Sequence, residues 1–204
     1  MRKKSGITHS ARRGYHHGDA RNALLTAAAD LLEQVGAAGL SLRQVAEQAG
    51  LSRQAPYNHF QNKEALLAEL VRDGFEQLTA SLEAGGDPKA NGALELAADA
   101  YIRRAQEAPA LFRLMFSREL VDLARFPAAA QAGATAFGKL REIVATFAPA
   151  DRVRELALAA WSLVHGYATL CIEVTLEPAE RRAGRAQLFA RIIEAAAGTG
   201  GEKP

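Results

Sequence analysis

Cysteine occurs once in this chain of 204 residues, at Cys171, which excludes an internal disulfide and any multi-cysteine zinc site. Long apolar runs are missing too. No uninterrupted stretch approaches the roughly 20 residues that span a bilayer, and the first segment, MRKKSGITHSARRGYHHGDA, has no apolar centre of the signal-peptide kind. A cytoplasmic location without membrane attachment is the expectation. Runs of Val, Ile and Thr are scarce against an alanine-rich background, a composition that favours helices over sheets. The chain also lacks a Gly-rich phosphate loop, a nucleophile motif and paired carboxylates beside a positioned histidine, so no catalytic residue is assigned and no enzyme is expected. His16 and His17 are adjacent in a segment without helical periodicity, and neither they nor His59 are accompanied by a carboxylate cluster, so no metal and no cofactor is expected.

The charge is unevenly placed. Residues 1–63 hold 9 Lys/Arg against 4 Asp/Glu, whereas 64–204 hold 16 against 19. A basic N-terminal third suits a polyanionic partner. Its first 18 residues, with Arg2, Lys3, Lys4, Arg12 and Arg13, read as a flexible basic arm.

Helical periodicity starts near Asp19, a capping residue, and places Leu24, Ala27, Ala28, Leu31, Leu32 and Val35 on one face before Gly36 and Gly39 end the helix. Ser41 and Gln44 have the spacing of a capping box, and Leu40 before the cap is placed to staple onto Val45. The second helix is short, burying Leu42, Val45, Ala46 and Ala49, and Gly50 supplies a turn. Ser52 is then placed to cap a third helix reaching about His59, and Asn62 a fourth that carries Leu66, Leu67, Leu70, Val71, Leu78 and Leu82. Gly85-Gly86-Asp87-Pro88 is the clearest linker. Further helices are expected at about 91–108, 110–124, 128–147, 151–175 and 179–197, punctuated by Pro109, Pro127, Pro149 and Pro178.

Two short helices joined at a glycine, with small Ala46 four residues before it, meet the steric needs of a helix-turn-helix. The second of them would present Arg53, Gln54 and Asn58. Arginine donates bidentately to guanine, and Gln and Asn both donate to and accept from adenine. The segment LSLRQVAEQAGLSRQAPYNHFQNKEALLAEL resembles the DNA-binding signature of the TetR family, a likeness that covers about residues 19–75 with the first helix. The resemblance implies phosphate contacts from Ser41, Tyr57, His59 and Lys63, and base or backbone contacts from Arg43, Arg53, Gln54 and Asn58. Pro56 departs from the family, which usually carries an aliphatic residue there. It forfeits at most one helical hydrogen bond and is placed to tighten the turn while its ring fills a core slot. Phe60 reads as core. Tyr57 stands equally between packing and phosphate binding.

Residues 151–175 are apolar on two sides, one with Leu158, Trp161, His165, Thr169 and Ile172, the other with Val153, Leu156, Ala160, Val164, Tyr167, Cys171 and Val174. A helix apolar all round must be covered all round. This predicts a homodimer through helices 151–175 and 179–197, the latter carrying Leu188, Phe189, Ile192 and Ile193, which would set two reading helices on double-stranded operator DNA. The run AWSLVHGYATL resembles a TetR branch named for its Trp-x-x-x-His-Gly pattern, here Trp161, His165 and Gly166. By spacing alone, Tyr101, Phe112, Met115, Phe116, Phe137, Trp161 and His165 read more readily as core than as ligand contacts. The resemblance implies that they line an effector pocket for an unidentified small molecule.

The expected fold is therefore all-α with about nine helices: a helix-turn-helix domain over 19–75, then a helical effector-binding and dimerisation domain over 76–204. The expected function is that of a repressor released from a pseudo-palindromic operator by an effector. An architectural or protein-interaction dimer is the alternative, and sequence-independent DNA binding would mark the architectural form.

Overall fold

In the computed structural model residues 17–174, 176 and 184–198 are described, and every regular element among them is helical. The order is α1 (His17–Gly39), α2 (Leu42–Gln48), a 3-10 turn (Ala55–Asn58), α3 (Lys63–Glu83), α4 (Ala93–Glu107), α5 (Pro109–Phe116), a second 3-10 turn (Leu123–Arg125), α6 (Pro127–Val144), α7 (Val153–Glu173) and α8 (Arg185–Gly198). Eight α-helices thus stand among the described residues where about nine were expected. The expected third helix is the first 3-10 turn.

Several boundaries follow from single residues. The basic arm lies outside the described residues except for its last two, His17 and Gly18, which open α1, so that Asp19 falls inside the helix. Gly36 breaks the helical path of α1 at φ 69, ψ 170. Val35 beside it is 45% exposed, not on the buried face expected of it. The expected helix over 110–124 stops at Phe116, because Ser117 turns extended and its N–H goes to the Leu114 carbonyl. Asp122 then caps the Leu123–Arg125 turn through the N–H of Ala124. The last helix starts after left-handed Gly184, later than expected, and residues 177–183 lie outside the described set. Gly86, at φ 92 within the expected linker, lets the chain turn between α3 and α4.

One apolar core joins the N-terminal helices to the bundle. It runs from Leu24, Leu32, Val45 and Phe60 through Leu66, Leu70 and Phe75 of α3 to Tyr101, Phe112 and Val164. A second cluster at the far end holds Leu94, Val144, Leu156 and Ile193, and Leu82 packs against both. α3 therefore spans the molecule. Its first half closes the N-terminal head and its second half is a wall of the bundle. α5 lies close along it at Gly74, where an added Cβ would come 2.7 Å from Met115 Sδ.

α7 divides its surface differently from the expectation. Leu156, Ala157, Ala160, Val164 and Ala168 are buried, with Trp161 and His165 half-buried beside them. Leu158, grouped above with Trp161, instead faces outward with Ser162, Gly166 and Leu170. α7 has the length and mean hydropathy, 1.3, to cross a membrane, nearer that limit than the sequence suggested. Its apolar residues are shared between the core and this outward stripe.

Candidate nucleic-acid interface and core cavity

The head is shaped by local hydrogen bonds. Ser41 Oγ accepts from the Gln44 N–H at 3.3 Å, capping α2, and its hydroxyl donates to Gln44 Oε1 at 2.6 Å. The Gln44 side chain thus serves the hydroxyl instead of reaching back to the Ser41 N–H as in a reciprocal box. α2 ends with Leu51 N–H on the Ala46 carbonyl and Gly50 N–H on the Glu47 carbonyl, with Gly50 at φ 67. This is the left-handed glycine stop that directs the chain sharply away from a helix end.

The reading element that follows is a single tight turn. Ser52 accepts the Ala55 N–H through its backbone carbonyl at 2.9 Å, so its side chain does not cap a third helix. Pro56, having no N–H, cannot supply the next helical bond. Tyr57 and His59 instead donate three residues back, to Gln54 and Pro56. Pro56 itself is buried in the expected core slot. Phe60 is 3% exposed beneath the Arg21 guanidinium, which lies 5.7 Å from its ring and pairs with Glu69 at 2.6 Å.

Over this scaffold Arg43, Arg53, Gln54, Tyr57 and Asn58 are exposed, while Ser41, His59 and Lys63 are half-buried. Tyr57, at 55% exposure, is not a core residue. Asn62 caps α3 through the Ala65 N–H, and Lys63 Nζ donates to the Ala38 carbonyl at 3.2 Å, which holds the ammonium at the N-terminus of α3. The exposed set presents amide, guanidinium and phenol donors on one turn and its flanks, chemistry suited to phosphate oxygens and base edges.

In the bundle, six of the seven residues expected to line a pocket form one chain of ring contacts. Phe112 stacks on His165 at 5.2 Å, Phe116 meets His165 edge-on at 4.5 Å, and Phe137 lies 5.1 Å from Trp161. Trp161 Nε1 donates to Tyr101 Oη at 3.1 Å, and Tyr101 Oη lies 2.8 Å from His165 Nδ1. An indole N–H only donates, so the phenol oxygen accepts from Trp161, and in the Tyr101–His165 bond the phenol donates when the imidazole carries its proton on Nε2 and accepts when it carries it on Nδ1. Burial pushes the His165 pKa down and that of Tyr101 up.

The cavities do not divide as the sequence suggested. Tyr101, Phe137 and Trp161 line a narrow central cavity of about 40 Å³ with residues of α3, α4, α6, α7 and α8. Phe112 and Met115 line a smaller one next to it, and Phe116 a third, with Met115 and Trp161, against α3. His165 lines none of these three. Phe189 and Ile193, expected with Leu188 and Ile192 on the dimer-forming helix, line the central cavity instead, Ile193 being buried. Leu78, expected only as a packing position of its helix, and Leu94, which the sequence did not single out, line it too.

Two links between head and bundle also escaped the sequence. Glu33 of α1 accepts the N–H groups of Ala110 and Leu111 at 3.0 and 2.8 Å, capping α5 from 77 residues away. Glu64 at the start of α3 pairs with Arg125 at 2.5 Å. α5 thus carries Phe112 and Phe116 against His165 at one side and is held by α1 at its N-terminus.

The histidine has a measurable consequence. Because its pKa in the fold lies below the ordinary 6.5, the unfolded chain binds the extra proton first. Stability is therefore full above about pH 6.5 and is lost as pH falls from there through the lowered value. A wild-type Tm that drops between pH 7.5 and 5.5 by more than that of His165→Phe is the expected result, and equal drops would contradict it.

Comparison with known proteins gives two family matches. Residues 24–70 match the profile described as bacterial regulatory proteins, tetR family, and residues 94–196 the one described as tetracyclin repressor-like, C-terminal domain. The tetracycline repressor protein class A from transposon 1721 of Escherichia coli is 48% identical over 50 residues, which are 24% of this chain and 23% of that protein. The chain therefore matches about a quarter of that curated relative's length. A solved structure of a protein of unknown function from Rhodococcus sp. RHA1 is 30% identical, with TM-score 0.71, covering 90% of this chain and 96% of that one. A bacterial regulatory protein in the tetR family from Rhodococcus RHA1 shares the fold at TM-score 0.64 and 19% identity, covering 91% and 98%.

Proposed function

The chain belongs to the TetR family and is a DNA-binding transcriptional regulator, not an enzyme, and from that premise we propose that it is a homodimeric repressor released from a pseudo-palindromic operator by a small-molecule effector. The observation that carries the proposal is the exposed group of Arg53, Gln54, Tyr57 and Asn58 held over buried Pro56 and Phe60. In this reading Gln54 and Arg53 meet base edges, with Arg43 and Asn58 on bases or backbone, and Ser41, Tyr57, His59 and Lys63 hold phosphates. The head extends over 19–75 and the regulatory domain over 76–204.

Dimerisation is supported by the outer surface. Leu158 at 59%, Leu170 at 47%, Leu188 at 40% and Ile192 at 46% exposure lie on α7 and α8. Such a clustered apolar face on adjacent helices is stabilised by an equivalent face across a two-fold axis. Ser162 and Gly166 lie between the two leucines of α7, and a Cβ at Gly166 meets nothing within 4 Å in the single chain, which leaves room for a partner helix. Two heads so joined sit about one turn of DNA, roughly 34 Å, apart.

For the effector, the support is the ring cluster around Trp161 and His165 in a domain of this family. The Trp161-x-x-x-His165-Gly166 pattern further favours the branch named for it. A ligand that binds one arrangement of the bundle better than another shifts the head through α3 and through the Glu33 cap on α5.

The test is a footprint on DNA flanking the chain's own coding region, at fixed salt. Gln54→Ala is expected to change preference at one or two base pairs by about 1–3 kcal/mol each. Lys63→Ala should weaken binding to all sequences alike and lower the salt slope by about 1. Unchanged sequence preference in Gln54→Ala would remove Gln54 from the reading set.

A further inference from the structure

We propose that the central cavity takes an uncharged, slender apolar molecule carrying one hydrogen-bond donor, of the chemical class of an aliphatic alcohol. The proposal rests on the reading of this chain as an effector-controlled regulator and adds the ligand chemistry.

The lining decides the charge. Of the fifteen residues around the cavity none carries a charge, and the only polar side-chain atoms among them are Tyr101 Oη and Trp161 Nε1. Burial holds the Tyr101 phenol in its neutral form. Arg104 lines the neighbouring cavity and is already bonded to Glu107 and Gln77. An ionised ligand would leave water for a site with no counter-charge, which is prohibitive.

The hydrogen bonds decide the polarity of the one polar group. The Trp161 N–H is used on Tyr101 Oη, and with His165 protonated at Nε2, the tautomer we take for this site, the Tyr101 proton is used on Nδ1 2.8 Å away. What remains at the centre is a lone pair on the phenol oxygen, which accepts and does not donate. A ligand hydroxyl or N–H is satisfied there with every existing bond kept. A ketone, ester or lactone finds no free donor, and it must break one of the two bonds or bury its oxygen unpaired.

The shape follows from the volume. About 40 Å³ admits only a few heavy atoms as the structure stands. Leu78, Leu82 and Leu140 on its wall yield to an unbranched chain by rotamer changes, whereas a rigid polycycle would have to part the helices. Leu78 and Leu82 belong to α3, so widening the cavity acts directly on the helix that closes the DNA-binding head.

Trp161 is the chain's sole tryptophan and lines both this cavity and the one beside Phe116, so its fluorescence detects a ligand in either, and Tyr101→Phe, which alters the wall of the central one and not of the other, assigns the signal. The probes are 2-hexanol, 2-hexanone and hexanoate, titrated into the full-length protein, with their effect on binding to a fluorescent DNA fragment from the footprint followed in parallel. The alcohol is expected to bind about five- to tenfold tighter than the ketone, the worth of one buried hydrogen bond, and hexanoate at least about a hundredfold more weakly than the alcohol. Tyr101→Phe should bring the alcohol down to the ketone's affinity. His165→Phe should raise the ketone to the alcohol's, because it frees the phenol proton to donate. Thermal melting of both variants establishes that they are folded. Hexanoate binding as tightly as the alcohol, an alcohol preference that survives Tyr101→Phe, or no probe binding to the folded chain would each overturn the proposal. Alcohol-selective binding that leaves DNA affinity unchanged upholds the ligand class and overturns the effector reading. Release of DNA by hexanoate does the reverse.

Discussion

Replacing Leu158 and Leu170 together by aspartate is expected to yield a folded monomer that binds operator DNA at least about a hundredfold more weakly than the wild type. Both side chains are about half exposed or more in the single chain, so a carboxylate at either position stays in water and costs the monomer little. In the proposed dimer the same carboxylates would be buried in pairs near the two-fold axis without partners, which is strongly destabilising. Splitting the dimer converts bivalent DNA binding into two independent events, and bivalency is worth about 10²–10⁴ in affinity. Sedimentation fixes the oligomeric state and fluorescence anisotropy the affinity at one salt concentration. A double variant that still sediments as a dimer with unchanged affinity would place the interface elsewhere.

That face also shows where sequence reading reaches its limit. Apolar periodicity made α7 two-faced, but it could not say that Leu158 belongs outside with Ser162 and Gly166 while Trp161, three residues on, turns in. The difference is less than one helical turn, and only the positions of α4, α6 and α8 set it. Local chemistry was far more legible. Ser41, Gly50 and Asn62 perform the cap and turn roles their types suggest, because those roles involve neighbours within about five residues. Pro56 was legible in kind but not in extent: the one missing N–H does not merely tighten a helix but leaves a 3-10 turn in its place. The Glu33 cap on α5 and the division of the ring cluster among three cavities depend on contacts across 60 or more residues, and no local pattern encodes them.

The same distinction separates Tyr57 from Phe60, two aromatic residues one turn apart, of which the sequence reads Phe60 as core and leaves Tyr57 equally between packing and phosphate binding. Phe60→Ala is expected to cost about 3–5 kcal/mol, a large part of the roughly 5–15 kcal/mol that holds a domain folded. Its ring is 3% exposed in the core that joins α1, α2 and α3, and its N–H closes the reading turn on the Pro56 carbonyl at 2.8 Å. Removing the ring therefore leaves a cavity beneath the turn and takes away the support of the Arg21 guanidinium, so DNA binding should be lost with the fold of the head. Tyr57→Ala should change stability by no more than about 0.5 kcal/mol, as exposed substitutions do, yet weaken binding to every DNA sequence by about fivefold through one lost phosphate contact. Urea unfolding and anisotropy on specific and random DNA measure both variants. The decisive comparison is between them: if Tyr57→Ala destabilises the chain as much as Phe60→Ala, the tyrosine is a packing residue and the phosphate role falls. If Phe60→Ala unfolds the head while Tyr57→Ala keeps it folded and binds weakly, one turn of the chain contains the support and the contact in separate aromatic rings.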